Sequence, residues 1–253
     1  MPDRYTKNYA ATTIYKNGTA VDLNILVARE DSVELFVNGT HAASILSSPA
    51  EVKELAVGHV ICEGITGFDG ILNVQVNGMK VDIHVERTEN FNIWHELRSS
   101  GGVGIRWQTN EDINVTSDAV FSPESIYSGT RFLESDVYRL TNGTHLAALV
   151  TPTGELAAQA IDIGRHNAID KVIGHAALSG LDVSGMYLLS TGRQSAGMVL
   201  KAARAGVPLV VTKSAPFDSG IEAAKRTGVG LVAFLSGKKM SVFANKWRVA
   251  VNR

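Results

Sequence analysis

Residues 186–235 read MYLLSTGRQSAGMVLKAARAGVPLVVTKSAPFDSGIEAAKRTGVGLVAFL, and their alternation of short apolar runs with polar-faced stretches decides the fold. Met186 to Ser190 is a strand, Ser195 to Ala205 a helix stopped by Gly206, Pro208 to Thr212 the next strand, Phe217 to Thr227 a helix stopped by Gly228, and Leu231 to Leu235 a third strand. Helices of about twelve residues between strands mean right-handed parallel crossovers. Upstream, Leu146 to Val150 and Leu156 to Ile161 flank Pro152-Thr-Gly154 as a hairpin. That hairpin feeds a helix running to about Leu178 before Gly180. An antiparallel pair followed by parallel crossovers makes residues 101–253 a layered α/β domain with a mixed sheet.

The first hundred residues read differently, as a smaller hairpin-rich α+β domain. Val33, Leu35 and Val37 alternate into Asn38-Gly39, a type I′ hairpin signal. Leu72, Val74 and Val76 pair with Val81, Ile83 and Val85 across Asn77-Gly78. Between the hairpins a helix is expected from Ser48, with Pro49 at its first position and Glu51 completing a capping box; Gly64 ends it. Its inward stripe holds Val52, Leu55, Ala56, His59 and Cys62, which places Cys62 mid-helix among apolar neighbours. The polar, glycine-rich stretch 99–104 sets the boundary, giving domains of residues 1–100 and 101–253.

Composition narrows the function. Hydrophobic residues make up 45% and charged residues 19%, with a net charge of −1, so no global field draws the chain to nucleic acid or membrane. The single cysteine, Cys62, excludes an internal disulfide and cysteine-based metal signatures. A polar N-terminus and the absence of an 18-residue apolar run point to the cytoplasm.

Chemistry concentrates at strand ends. Ile161-Asp-Ile-Gly-Arg-His-Asn167 carries a strand into a helix whose first residues are cations rather than the usual acids. Free N–H groups, the positive end of the helix dipole and the side chains of Arg165 and His166 suit an anion. The competing reading pairs Arg165 and His166 with Asp162 and Asp170 inside the fold. Three further loops follow strands: Ser190-Thr-Gly-Arg193, Thr212-Lys213-Ser214-Ala-Pro216 and Leu235-Ser236-Gly237-Lys238-Lys239. With Gly164-Arg165-His166 they converge at the carboxyl edge of an open α/β sheet, where a multi-phosphate ligand fits better than one carboxylate.

Standard nucleotide signatures are absent: there is no G-x-x-x-x-G-K-[ST] and no complete G-x-G-x-x-G. His84-Val-Glu86 imitates half of a zinc deaminase motif without its P-C-x-x-C partner. His59 and Cys62 read as core rather than as a metal pair. Ser190, His166 and Asp162 lack the G-x-S-x-G elbow of a hydrolase.

The motifs T-N-G-T-H at 141–145, D-I-G-R-H-N-A-I-D-K at 162–171, S-T-G-R-Q-S-A-G-M-V-L-K-A-A-R-A-G-V-P at 190–208, K-S-A-P at 213–216 and L-A-V-G-H-V-I-C-E-G-I at 55–65 together resemble the formate dehydrogenase accessory sulfurtransferase (FdhD/NarQ) family. The resemblance covers most of the chain. It implies a cytidine-deaminase-like α/β domain without zinc chemistry, and a homodimer. It also implies sulfur transfer from a cysteine desulfurase to the molybdenum, or tungsten, bis-pterin guanine dinucleotide cofactor (Mo-bis-MGD) of a formate dehydrogenase. The family's cofactor contact region matches Phe234, Leu235, Ser236, Gly237, Lys238 and Lys239.

One departure bears on mechanism. The family carries a C-G-V-C-G-like loop for persulfide chemistry, and this chain has Gly101-Gly-Val-Gly-Ile105 at that place. Gly101 and Gly104 supply no nucleophile. Cys62 is the weak remaining candidate, in surroundings that raise a thiol's pKa. Two readings stay open: an accessory protein that binds the cofactor or GDP-like nucleotides and is linked to its sulfuration, or a non-catalytic chaperone that docks on the dehydrogenase subunit.

Overall fold

The computed structural model describes residues 4–86 and 113–250, with the backbone alone of 94–97 and 103–106. The chain is a mixed α/β protein built on two larger sheets and two two-stranded ribbons among the described residues. The first ribbon pairs β1 (Thr6–Ile14) with β2 (Ala20–Ala28). The four-stranded sheet has the order β4-β3-β6-β5, from β3 (Asp31–Val37), β4 (Thr40–Ser47), β5 (Ile71–Asn77) and β6 (Lys80–Val85). Both expected hairpins form: Asn38 and Gly39 take positive φ of 50° and 77°, as a type I′ turn requires. The second turns at Gly78-Met79, with a bulge between Ile71 and Asn73. The other ribbon is β7 (Trp94–Leu97) with β8 (Val103–Arg106).

The larger sheet has six strands in the order β10-β9-β11-β12-β13-β14. Its members are β9 (His145–Val150), β10 (Leu156–Asp162), β11 (Tyr187–Ser190), β12 (Leu209–Thr212), β13 (Gly230–Ala233) and β14 (Ser241–Ala244). β11, β12 and β13 are parallel, while β9 runs antiparallel to both β10 and β11, and β14 antiparallel to β13. The crossover helices are α5 (Ala196–Arg204) and α6 (Asp218–Thr227), and α4 (Arg165–Leu178) follows β10. Before this sheet come the short helices α2 (Pro123–Gly129) and α3 (Asp136–Thr141).

Side-chain alternation splits the core about this sheet. Ala147 and Leu149 join a cluster with α4, α5 and the four-stranded sheet, while Leu146, Ala148 and Val150 pack on the other face with Phe121, Ile126 and Tyr187. The first cluster runs without a break from Val33, Leu35 and Ile83 through helix α1 (Val52–Cys62) to Val172 and Ile173 of α4. α1 and α4 cross at two glycines. A Cβ on Gly58 would stand 1.6 Å from the Asp170 carbonyl oxygen, and one on Gly174 1.9 Å from that of Glu54.

Helix α1 does not begin where its capping box predicts. It starts at Val52, after Glu51 in the left-handed region (φ 56°, ψ 41°), and no side chain caps it. The reason is a distant carboxylate: Asp162 Oδ2 accepts from the Ser47 hydroxyl (2.6 Å) and the Ser48 N–H (3.1 Å). A charge-assisted bond outcompetes the local cap and holds residues 47–48 extended into the helix entry. Cys62 is also displaced from its expected setting: it is the last residue of α1, with charged groups nearby. No helix among the described residues is long and apolar enough to cross a membrane.

Candidate functional site

Strand direction brings the candidate loops to one edge. Because β9 is antiparallel to β10 and β11, the ends of β10, β11, β12 and β13 and the beginning of β9 share that edge. Arg165 and His166 open α4 behind Gly164, and both are largely buried. Gly192 packs directly on Arg165: a Cβ there would stand 2.7 Å from the Arg165 Cβ. The loops after β11 and β12 are tied together. Gln194 N–H donates to the Ala215 carbonyl (3.1 Å), and the Thr212 hydroxyl to the Gly192 carbonyl (2.8 Å). The loop after β13 joins them where Phe234 N–H donates to the Ser214 carbonyl and Leu235 N–H to that of Thr212, both at 3.1 Å.

Arg165, Arg193, Lys213 and Ser214 therefore belong to one connected surface. Gly237, Lys238 and Lys239 stand further out, in an exposed turn closed by Ser236 N–H to the Lys239 carbonyl (2.9 Å). Leu235 is buried, whereas Phe234 is exposed at a positive φ of 54° with its ring edge-on to Phe243.

The electrostatics are those of gathered cations. Burial first, then the Arg193 guanidinium, lowers the proton affinity of Arg165. His145, at the start of β9, is pushed below the ordinary imidazole value by burial, then by Arg165 against an opposing pull from Asp162, with Lys213 and Arg193 adding to the depression. Asp162 does not offset this cluster freely, because its own bonds are taken up inside the fold. Lys171 Nζ lies 2.7 Å from Oδ2 and is wholly buried, while Oδ1 accepts from Gly164 N–H and Asn167 Nδ2. Of the two carboxylates in the competing reading, Asp162 lies against Lys171 and Asp170 against Lys201.

A cavity of about 100 Å³ opens among these loops, walled by Leu133, Tyr138, Thr144, His145, Thr191 and Lys213. Thr144 is buried, and its hydroxyl has no hydrogen-bond partner among the described residues. Thr191 Oγ1 accepts from Leu146 N–H (3.0 Å) and lies 3.2 Å from His145 Nδ1, and Lys213 Nζ stands 5.6 Å from the Tyr138 ring centre. An unmet hydroxyl beside a neutral histidine and a lysine suits a ligand with oxygen acceptors.

Strand ends alone do not point to Thr144, His145 or Tyr138. An antiparallel strand brings its beginning, not its end, to the same edge. The signal lay in the T-N-G-T-H stretch at 141–145 immediately before β9.

Cys62 lies elsewhere, in a buried polar knot between α1, α4 and α5. Lys201 Nζ is 2.6 Å from Asp170 Oδ1 and 2.7 Å from Glu63 Oε1, and His59 Nδ1 is 3.1 Å from Asp170 Oδ2. Burial pushes the Cys62 thiol well up, and the Asp170 charge pushes it further. Burial alone would raise the Asp170 carboxyl as well, but Lys201 and then His59 bring it below its usual range. Of the two glycines that the resemblance sets against cysteines, Gly101 lies outside the described residues, as does most of the expected boundary at 99–104. Gly104 falls in β8, where the register places it opposite Glu96.

The chain is 34% identical over 246 residues to the sulfur carrier protein FdhD of Sulfolobus acidocaldarius (92% of this chain, 95% of that protein). It is 31% identical over 259 residues to the protein of the same name from Wolinella succinogenes (98% and 90%) and 30% identical over 233 residues to that of Methanothermobacter thermautotrophicus (88% and 91%). A solved structure from Desulfotalea psychrophila, described as a formate dehydrogenase accessory protein, shares the fold with a TM-score of 0.82 at 23% identity, covering 97% of this chain and all of that one. The FdhD/NarQ family model matches residues 28–250, and the chain belongs to that family.

Proposed function

We propose that this protein is an accessory factor for formate dehydrogenase maturation that binds the molybdenum or tungsten bis-pterin guanine dinucleotide cofactor as cargo through its phosphates. The observation that carries this reading is the meeting of Arg165, Arg193, Lys213 and His145 at one sheet edge, where His145, Lys213 and Thr144 with its unmet hydroxyl line a cavity. Clustered cations at a helix N-terminus and on adjoining loops favour a diphosphate, and Lys238 and Lys239 extend the basic rim. The relatives are named sulfur carrier protein FdhD, which supports the reading that the cofactor is held for sulfuration. The reading includes two copies of the chain working together, a formate dehydrogenase subunit as recipient and a cysteine desulfurase as sulfur source.

The chain's own residues bind and orient; they do not supply the sulfur nucleophile. Cys62, the single cysteine, is buried with a raised pKa, so its reactive thiolate is scarce. In this reading the sulfur to be transferred is supplied by the cysteine desulfurase and not by a thiol of this chain. Calorimetric titration with GDP tests the reading. Binding that weakens at least about tenfold in Arg165→Ala or Lys213→Ala supports it. No binding at millimolar GDP, or equal affinity in wild type and variants, overturns it.

A further inference from the structure

A second cavity lies at the opposite edge of the six-stranded sheet, where the parallel strands β11 and β12 begin and the helices α4 and α5 end. Both helices close in the same way. Leu181 N–H donates to the Ala176 carbonyl and Gly180 N–H to that of Ala177, while Val207 N–H donates to that of Ala202 and Gly206 N–H to that of Ala203. Gly180 and Gly206 take the positive φ of 65° and 79° that this ending requires. At about 1.5 Å per residue, the 14 residues of α4 set this edge roughly 20 Å from Arg165.

The cavity measures about 360 Å³, larger than the one at the strand ends and within the roughly 300–1,000 Å³ of small-molecule sites. Its floor is apolar, with Phe68, Leu181 and Val183. Its rim is acidic: Asp69, in the turn Phe68–Gly70, and Asp182, before the turn Val183–Gly185, are both exposed and come from separate segments. Among the described residues no lysine, arginine or histidine lines it. Ser184, through its hydroxyl and its N–H, holds the Asp182 carboxyl below the usual carboxylate range, and no cation contributes. Gly180 and Ala205 of the two helix ends also line the cavity, so the negative poles of α4 and α5 add to the field of the carboxylates.

We propose that this cavity binds a small aliphatic diamine, its ammonium groups at Asp69 and Asp182 and its methylene chain on the apolar floor. Two carboxylates on separate segments call for two positive charges, and a monocation would leave one of them unmatched. A hydrated metal ion gains nothing from an apolar floor, and no group of three acidic or histidine side chains among the described residues could hold one. A methylene chain does gain from it, since its burial on Phe68, Leu181 and Val183 removes apolar surface from water. Helix α4 then offers its positive pole to the anion edge and its negative pole to this second site. The inference goes beyond the proposed function and does not depend on it.

Calorimetric titration of the full chain with 1,4-diaminobutane at low ionic strength tests it. Saturable one-site binding is expected, weakened at least about tenfold when Asp69→Asn and Asp182→Asn are combined. Asparagine at 182 keeps an oxygen for Ser184 N–H, so the double variant removes charge and leaves the turn intact. 1-Aminobutane, with one charge, should bind at least about fivefold more weakly than the diamine. No saturable binding up to about 10 mM, or equal affinity in wild type and double variant, overturns the site. Equal affinity for the two amines overturns the diamine assignment, and so does tighter binding of N-acetyl-lysine amide, which would give the cavity to a partner's side chain. GDP affinity should be the same in wild type and double variant, so a failure of diamine binding and a failure of nucleotide binding are read separately.

Discussion

Lys171 Nζ lies 2.7 Å from Asp162 Oδ2 with both side chains wholly buried, and this pair joins the two halves of the chain at the candidate site. The same carboxylate holds Ser47 and Ser48 at the entry to α1 and the Gly164–Asn167 turn at the entry to α4. Lys171 also donates to the Ser48 carbonyl. Replacing Lys171 with Met leaves a buried, uncompensated carboxylate and is expected to cost about 3–5 kcal/mol in urea unfolding. Adding Asp162→Asn should recover part of that loss; equal stability of wild type and Lys171→Met would contradict the assignment.

The glycine crossing of α1 and α4 predicts a backbone clash rather than a side-chain adjustment. Gly58→Ala sets a Cβ against the Asp170 carbonyl, so the helices must separate. The expected loss is about 3 kcal/mol or more, at the upper end of overpacking effects. Gly18→Ala, with open space around its Cβ but a φ of 85°, should cost only about 1 kcal/mol. Urea midpoints of the two variants check the order.

His145 gives a pH signature. Burial, then Arg165, holds its folded-state pKa below the ordinary value of 6.5. The unfolded chain therefore binds the proton first, and His145 lowers folding stability as pH falls below that ordinary value. A bound phosphate reverses the local field and draws the proton back. Phosphate affinity should rise as pH falls through this window, with proton uptake on binding. Calorimetry in buffers of different ionisation heat measures the uptake, and His145→Gln should remove it.

Cys62 should be inert in the folded protein. With the thiol buried and its pKa raised, iodoacetamide at neutral pH is expected to leave the native chain unmodified by mass spectrometry. One adduct should form in urea. Rapid native labelling, or retention of radiolabelled sulfur after incubation with a cysteine desulfurase and lost in Cys62→Ser, would return a sulfur-carrying role to this residue.

The βαβαβ run from 186 to 235 was legible because period and punctuation agreed: Gly206 and Gly228 stop α5 and α6 at φ of 79° and 75°, and each helix follows a short apolar strand. The start of α1 was not, since the group that decides it, Asp162, lies 114 residues from Ser48 in sequence. The Glu63–Asp170–Lys201 knot was hidden for a similar reason. Charges on a helix read as solvated until a neighbouring helix covers them, and only the folded crossing of α1, α4 and α5 reveals that these are paired inside. Among site residues, Arg165 and Lys213 follow from strand-end reasoning, whereas Thr144 and His145 need the antiparallel direction of β9, which local sequence does not specify.

A crystal structure of the full chain soaked with GDP tests the central claim most directly. The account predicts the diphosphate at the edge formed by the ends of β10, β11 and β12, with oxygens about 3 Å from the side-chain nitrogens of Arg165, Arg193 or Lys213. A diphosphate bound away from that edge, with none of these three side chains in contact, would contradict it.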